Sequence, residues 1–415
     1  MDYLTDLTKT SYNYYEAINF ITNKELSAVT VKNGYILPPI LWKYRINNPY
    51  NKENSLHGEG GVLDDQLSYV EMSAQKAYGM KNRIYGKYDV SKFNIRYIHD
   101  TVIYMNFYIH QWGHYLIDVI GRLWYAANID KTSKIAYTCY LGKDDVISGN
   151  YLELIKLFGI DINRLLCVNQ VTRFDSIIVP ENSIFPGKYY TKEYKELFDK
   201  AVENAHAELK KDNKIYCSRK NVIKANFREQ GEDYIQKVFE SSRYRSIFLE
   251  KLTLSEQIRT LNSASEIVMI NGSLAHNLLF LRNNANVTII NKTYRFNLHQ
   301  FLINQISNAN VTFVDAYVAP LPILYGYGPF LIRRTDQFIY YCRNKNINVN
   351  EIPKCNQKLS IKDKAEYYIK YIYIYRKFFI TFETIKEGNN DIGYIDKKAI
   401  RKGYKLSQRN YQYDI

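Results

Sequence analysis

The chain has 415 residues and a mass of 49.0 kDa, enough for two or three domains at roughly 100–200 residues each. Apolar residues make up 46% and charged residues 24%, which excludes wholesale disorder and any collagen-like or Pro/Gly-rich fibre. Fifty-six Lys and Arg against 42 Asp and Glu give +14, but no zinc-finger or RNP signature organises that charge, so no nucleic-acid partner is expected.

The segment MDYLTDLTKTSYNYYEAINF opens with acids and holds no continuous apolar run, so no secretory signal is expected. No stretch reaches the ~18 uncharged apolar residues of a membrane span, and a cytoplasmic protein is expected. The five cysteines (139, 167, 217, 342 and 355) stand far apart with no CxxC pair. They read as reduced, mostly buried thiols.

Up to about Asp100 the pattern is short strands and turns, such as GYILPPIL and SKFNIRYI, with Gly60-Gly61 as a loop. TVIYMNFYIH reads as a strand. In WGHYLIDVIGRLWYAAN, Tyr115, Leu116, Val119, Ile120, Leu123 and Trp124 recur at helical spacing, which predicts an amphipathic helix. KIAYTCYL (strand), GNYLELIKLFGI (helix), LLCVN and DSIIVP (strands) follow, an alternation that favours an α/β layer with a parallel sheet. The charged helix YTKEYKELFDKAVENAHAELKK leads into a second domain.

Residues 214–315 give the clearest α/β pattern. Strands KIYCSR, RSIFLE, EIVMI, NVTIIN and VTFVDAY alternate with helices GEDYIQKVFES, TLSEQIRTLNSA, SLAHNLLFLRN and HQFLINQIS, a Rossmann-like arrangement. Thr253 and Glu256 are spaced for a capping box. Beyond Tyr317 the pattern is irregular around Pro320, Pro322, Gly326, Gly328 and Pro329. A long Tyr-rich helix is predicted near 362–387, and residues 331–415 carry 18 Lys and Arg against 9 Asp and Glu. Its aromatic residues, with Lys370, Arg376 and Lys377 interleaved, suit either packing on the domains or an interfacial helix on anionic lipid. The expected boundaries are 1–205, 206–318 and a helical, basic extension over 319–415.

The motifs of dinucleotide oxidoreductases, P-loop NTPases, zincins, EF-hands and GxSxG hydrolases are absent. Two constellations remain. In the first, His114, Asp118 and Arg122 are spaced by four, which places them on one helix face. A carboxylate holding one imidazole nitrogen leaves the other as a proton acceptor near pH 7; the plainer reading is an interior His satisfied by a neighbouring acid. In the second, Asn271-Gly272-Ser273 follows an apolar strand and opens a helix, while Ser218-Arg219 ends the first strand of the same unit. Carboxyl ends of neighbouring parallel strands line one crevice, so Arg219 and Ser273 could converge on a diphosphate. Glu250 ends the next strand, where a ribose acceptor is expected. The plainer reading is an ordinary strand–turn–helix with Ser273 as N-cap.

The block HQWGHYLIDVIGRL resembles the HWLxExLPRL segment of family-61 glycosyltransferases, which include bacterial capsular polysaccharide biosynthesis proteins. LIKLFGIDINRLLCVNQ, KIYCSRK and FLEKLTLSEQIRTLNSASEIVMINGSLAHNLLF resemble later blocks of that family, with Glu250, Gln257, Gly272, Asn277 and Phe280 in matching places. The similarity spans Tyr104–Asn291. Two departures stand out: Asn271 replaces the family's His, and Gly121 replaces its Pro.

The resemblance implies a GT-B-like architecture, two Rossmann-like halves facing a cleft, with the nucleotide-sugar held by the carboxyl-terminal half. It implies inverting transfer to a glycan or lipid-linked glycan; the base is then expected from the amino-terminal half, His114 oriented by Asp118, with Asp118 itself as the alternative. Ser218, Arg219, Glu250, Asn271, Gly272, Ser273 and Asn277 are then donor-side residues, and Arg122 and Gln257 further cleft residues. No metal or other cofactor is expected. The chain holds no Asp-x-Asp; Asp64-Asp65 and Asp144-Asp145 are adjacent, and adjacent carboxylates point apart on a strand. The competing readings are a non-catalytic sugar-binding relative and a pyruvyl or phosphoryl transferase on a similar fold.

Overall fold

The computed structural model describes residues 18–41, 57–77, 82–208, 213–293, 298–307, 309–321, 323, 327–349 and 360–384. The acidic opening segment to residue 17, Pro322, Gly326, Cys355 and the tail from 385 lie outside the described residues, as do the side chains of 375–384.

In the amino-terminal half, β1 (Tyr35–Leu41) precedes the long β2 (Arg96–Phe107), β3 (Lys134–Thr138), α1 (Gly149–Leu157), β4 (Leu165–Val168), β5 (Thr172–Pro180) and α2 (Lys192–Asn204). Among the described residues these strands belong to a nine-stranded mixed sheet. Strands β5, β2, β3 and β4 lie side by side and parallel, while β1 joins β5 antiparallel. The parallel layer expected from the alternation is therefore present, but only as part of a mixed sheet. Residues 102–107 of β2 are all buried, as suits a strand covered on both faces. Gly60 and Gly61, expected in a loop, lie inside the strand Gly58–Leu63.

The carboxyl-terminal half runs β6 (Asn213–Cys217), α3 (Glu232–Ser241), β7 (Arg245–Ile247), α4 (Leu254–Asn262), β8 (Ala264–Ile270), β9 (Asn286–Asn291), α5 (Leu298–Ile306) and β10 (Asn310–Asp315). The expected capping box on α4 forms, with Thr253 and Glu256 bonding each other's backbone N–H groups. The segment after β8, predicted as an α-helix, is a tighter 3-10 helix, Ser273–Phe280. All five strands are parallel in the order β7-β6-β8-β9-β10. Numbered within the unit this is 2-1-3-4-5, a doubly wound order whose switch point lies between β6 and β8.

Alternate residues of these strands serve two faces. Ile215, Ile267 and Ile289 join the apolar core shared with the amino-terminal half. Tyr216, Val268 and Ile290 face a second core. Beyond residue 318, β11 (Phe330–Ile332) and α6 (Asp336–Asn344) complete that second face through Ile332, Phe338, Tyr341 and Cys342. The final helix, α7 (Ile361–Thr384), buries Tyr367, Tyr371 and Ile374 against Leu321, Ile323, Phe330 and Leu331. Its Tyr368, Ile369, Ile372 and Tyr373 are exposed.

The two halves are fastened side chain to backbone. Glu153 of α1 accepts from the N–H groups of Leu254 and Ser255, each at 2.8 Å, at the start of α4, where a carboxylate meets the positive end of the helix dipole. The rings of Phe198 and Phe280 meet edge to face at 5.2 Å.

Candidate active site

The segment predicted as one amphipathic helix is broken into four turns of different pitch. A short α-turn (Trp112–His114) passes into a π-turn (Tyr115–Val119), a 3-10 turn (Ile120–Arg122) and a final α-helix (Leu123–Asn128). Such irregular turns leave carbonyls outside the i→i+4 ladder, and a buried carbonyl needs another donor. Tyr194 Oη donates to Leu116 O at 2.9 Å, Gln75 Nε2 to Asp118 O at 2.9 Å and Asn106 Nδ2 to Val119 O at 2.9 Å.

The i,i+4 contact survives this distortion. His114 Nδ1 and Asp118 Oδ2 are 2.7 Å apart, and Arg83 Nη2 donates to the same oxygen at 2.7 Å. The Asp118 side chain is 2% exposed and that of Arg83 5%, while His114 keeps 34%. Burial alone would raise the Asp118 pKa; Arg83 and the hydrogen bond from His114 outweigh it and hold the carboxyl below its ordinary value. An ionised Asp118 accepts the Nδ1 proton of His114, which leaves Nε2 as the lone-pair nitrogen of the neutral ring.

Arg122 goes elsewhere. The change of pitch turns it into the core, where it is fully buried. Its Nε donates to Pro180 O at 2.8 Å, and Nη1 and Nη2 reach Asn106 Oδ1, Met72 O and Ala74 O. Its guanidinium lies 5.4 Å from the centre of the Tyr104 ring. Burial lowers its pKa to about 10. This residue fixes the amino-terminal sheet to the broken helix and does not reach a cleft.

At the switch point of the carboxyl-terminal sheet, Gly272 adopts φ +153° and ψ −170°, a region open essentially to glycine alone. A Cβ there would stand 2.3 Å from Arg219 Nη1 and 3.5 Å from Lys292 Nζ. The glycine thus admits the guanidinium, whose Nη1 also donates to Asn271 O at 3.3 Å. Arg219 Nη2 and Lys292 Nζ share one acceptor, Glu229 Oε1, at 3.3 and 2.5 Å. Gly272, not Ser273, occupies the N-cap position of the 3-10 helix.

The other expected donor-side residues divide. Ser218 is fully buried and donates to Gln236 Oε1 at 3.0 Å. Glu250 stands exposed on the turn Leu249–Lys251 that follows β7. Asn271 Nδ2 donates to Asn291 Oδ1 at 2.9 Å, and Asn291 Nδ2 to Asp315 Oδ1 at 2.8 Å. This relay ties together the carboxyl ends of β8, β9 and β10, which occupies the side chain standing where the family has His. Asn277 and Gln257 are joined, Nδ2 to Oε1 at 3.0 Å.

The two constellations meet. A Cβ on Gly113 would come within 3.2 Å of Ser273 Cβ and 3.1 Å of His276 Nδ1, so the backbone just before His114 rests on the residue just after Gly272. One helical step away, Trp112 Nε1 donates to Asn277 Oδ1 at 2.6 Å. His276, buried, and His299, half-buried, which sequence reasoning missed, stand beside this contact. Burial first, and then the neighbouring imidazoles, lower His276 to about 3; burial lowers His299 to about 4, with Asp118 opposing. Both rings are neutral at physiological pH.

Sequence reasoning also missed Arg83, Glu229 and Lys292. Lys292 had a signal: it directly follows β9, the strand beside β8, and the rule of the strand carboxyl ends covers it. Arg83 and Glu229 sit on very short strands, Asn82–Ile84 and Glu229–Gln230, with no periodicity to mark them. Among the described residues, no helix is long and apolar enough to cross a membrane, and no group of three or more His, Cys, Asp or Glu is arranged to hold a metal ion.

No curated protein matches the chain. The sequence model of Glycosyltransferase 61 matches residues 112–288, inside the Tyr104–Asn291 stretch whose blocks resemble that family. The matched residues run from Trp112 through the His114–Asp118 pair and the Arg219–Gly272 contact to β9, and over them the chain is similar to the glycosyltransferases of family 61.

Proposed function

We propose that the protein is an inverting glycosyltransferase that moves a sugar from a nucleotide-sugar to a glycan hydroxyl in the synthesis of a bacterial capsular or surface polysaccharide. The observation that carries this reading is the contact of Gly113 with Ser273. It brings the backbone beside the His114 imidazole against the turn where Arg219 and Lys292 approach Gly272, at a sheet switch point. In a GT-B-like arrangement the diphosphate lies over Gly272 with Arg219 beside it, and the acceptor hydroxyl approaches from the amino-terminal half. His114 takes the hydroxyl proton at Nε2 while Asp118, held by Arg83, fixes the ring and stabilises the imidazolium that forms. Charge on the departing diphosphate is met by cationic side chains, so the reaction draws on no metal.

A thermal-shift panel on the full chain tests the reading. Stabilisation by UDP, GDP or CMP supports it. A response to glycans alone points to a non-catalytic sugar-binding relative, and a response to phosphoenolpyruvate to a pyruvyl transferase.

We propose a place of action from α7. Its exposed Tyr368, Ile369, Ile372 and Tyr373 are accompanied by the exposed Lys362 and Lys364, the composition of a helix that lies on anionic lipid. We place the protein in the cytoplasm, docked by this face at the inner leaflet, where lipid-linked acceptors sit. Vesicles with anionic headgroups should co-sediment the protein and neutral vesicles should not; equal, negligible binding leaves α7 a packing role only.

A further inference from the structure

Lys292 directly follows β9, beside β8, which leads into Gly272. Its ammonium is held by Glu229 Oε1 and sits 4.6 Å from the centre of the Phe330 ring. The same carboxylate oxygen binds Arg219. The side chains are 2% (Glu229), 11% (Lys292) and 13% (Arg219) exposed. Two cations share this one carboxylate oxygen in a place sheltered from water, so both charges stand ready on one side of Gly272 for an incoming anion. Both cations approach the Cα of Gly272 on the side where a Cβ would stand.

We propose that Lys292 is the second cation of the donor site, closing with Arg219 on the diphosphate of the nucleotide-sugar. This rests on the glycosyltransferase reading and adds to it a residue and a measurable proton. During transfer the acceptor oxygen bonds to the anomeric carbon as the bond from that carbon to the diphosphate breaks. The bonding pair leaves on the diphosphate, and the hydroxyl proton goes to the base of the amino-terminal half. Lys292 gives up no proton in that step; its charge, with that of Arg219, stabilises the leaving group.

The apo protein is poised for proton uptake. Burial and then the Arg219 charge lower the Lys292 pKa to about 8, against the opposing pull of Glu229 and Glu232. The titratable neighbours are Glu229 and Glu232; Glu232 accepts from the Arg219 N–H at 2.7 Å, and burial raises its pKa. A bound diphosphate adds negative charge and raises Lys292 again. Affinity therefore falls as pH rises through about 8, and binding above that pH takes up a proton.

The test is titration calorimetry of the full chain with UDP, GDP and CDP between about pH 7 and 9, in two buffers of different ionisation heat. The terminal phosphate, with a second pKa of about 6, is already ionised in that range. The wild type should take up a fraction of a proton near pH 8.5. Lys292→Arg should bind within a few-fold and take up none, because guanidinium stays charged. Lys292→Gln should bind about tenfold or more weakly at pH 7. Wild-type affinity and pH dependence in Lys292→Gln, alongside weakened binding in Arg219→Gln, would overturn the role of Lys292 and leave the donor site standing. If none of the three nucleotides binds the wild type, the donor reading falls and this proposal with it.

Discussion

Trp112 donates to Asn277 at 2.6 Å across 165 residues of sequence, and Asn277 donates in turn to Gln257, whose Nε2 reaches Leu252 O at 3.1 Å. One chain of hydrogen bonds thus links two blocks of the family resemblance. It fixes how the His114 segment seats on the 3-10 helix. Asn277→Ala strands the indole N–H and Gln257 Oε1 without their partner. Leaving such buried groups unpaired costs about 1–3 kcal/mol, so the urea midpoint should fall. Trp112→Phe, which removes the donor and keeps a ring, should cost less. Equal midpoints for wild type and Asn277→Ala would show that the chain holds nothing.

Stability should fall on mild acidification because of His276 and His299. Their folded pKa values of about 3 and about 4 lie below the unfolded value near 6.5. The unfolded chain therefore binds protons first. Stability from this source is full above about pH 6.5 and is lost as pH falls toward the folded values, at about 1.4 kcal/mol per pH unit for each ring. Urea denaturation at about pH 7 and pH 5 reads the slope. His276→Gln and His299→Gln should each flatten it, and an unchanged slope in both contradicts the assignment.

Arg219 and Asn271 stand a few ångströms apart with different tasks. Arg219→Ala should weaken nucleotide binding about 10- to 150-fold, the loss of a charged hydrogen-bond pair at about 1.5–3 kcal/mol, with the melting temperature kept. Asn271→Ala breaks the relay to Asn291 and Asp315 and should lower the melting temperature while changing nucleotide affinity little. Ser273→Ala should cost about 1 kcal/mol or less in binding. Nucleotide affinities and melting curves of the three variants together separate ligand contact from scaffold; the reverse pattern for Arg219 and Asn271 would contradict these roles.

The carboxyl-terminal sheet was legible in the sequence because its strands are short apolar runs separated by helical segments, one of them opened by the Thr253–Glu256 cap. The strand ends then named Arg219 and Gly272; the same rule covers Lys292, which was missed. The amino-terminal half was less legible. Its antiparallel and very short strands carry little periodicity, and Arg83 reaches Asp118 only through the sheet. The His114–Asp118 contact was readable from spacing, whereas Arg122 was not. The π-turn that redirects it is held by Tyr194, Gln75 and Asn106, residues remote in sequence. Cys139 and Cys167 likewise looked unrelated, yet β3 and β4 pair in parallel and bring their sulfurs to 3.1 Å. His276 hides in an apolar run, SLAHNLLF, which reads as core.

The account turns on His114 as the base and Asp118 as the group that orients it. The most direct measurement is the rate of sugar transfer by His114→Ala and Asp118→Asn, with nucleotide affinity measured on the same preparations. The account predicts that His114→Ala loses about 100- to 10,000-fold in turnover with nucleotide binding unchanged, and that Asp118→Asn loses less. Transfer abolished in Asp118→Asn but largely kept in His114→Ala would contradict it and make Asp118 the base; full activity in both would place the base outside this helix.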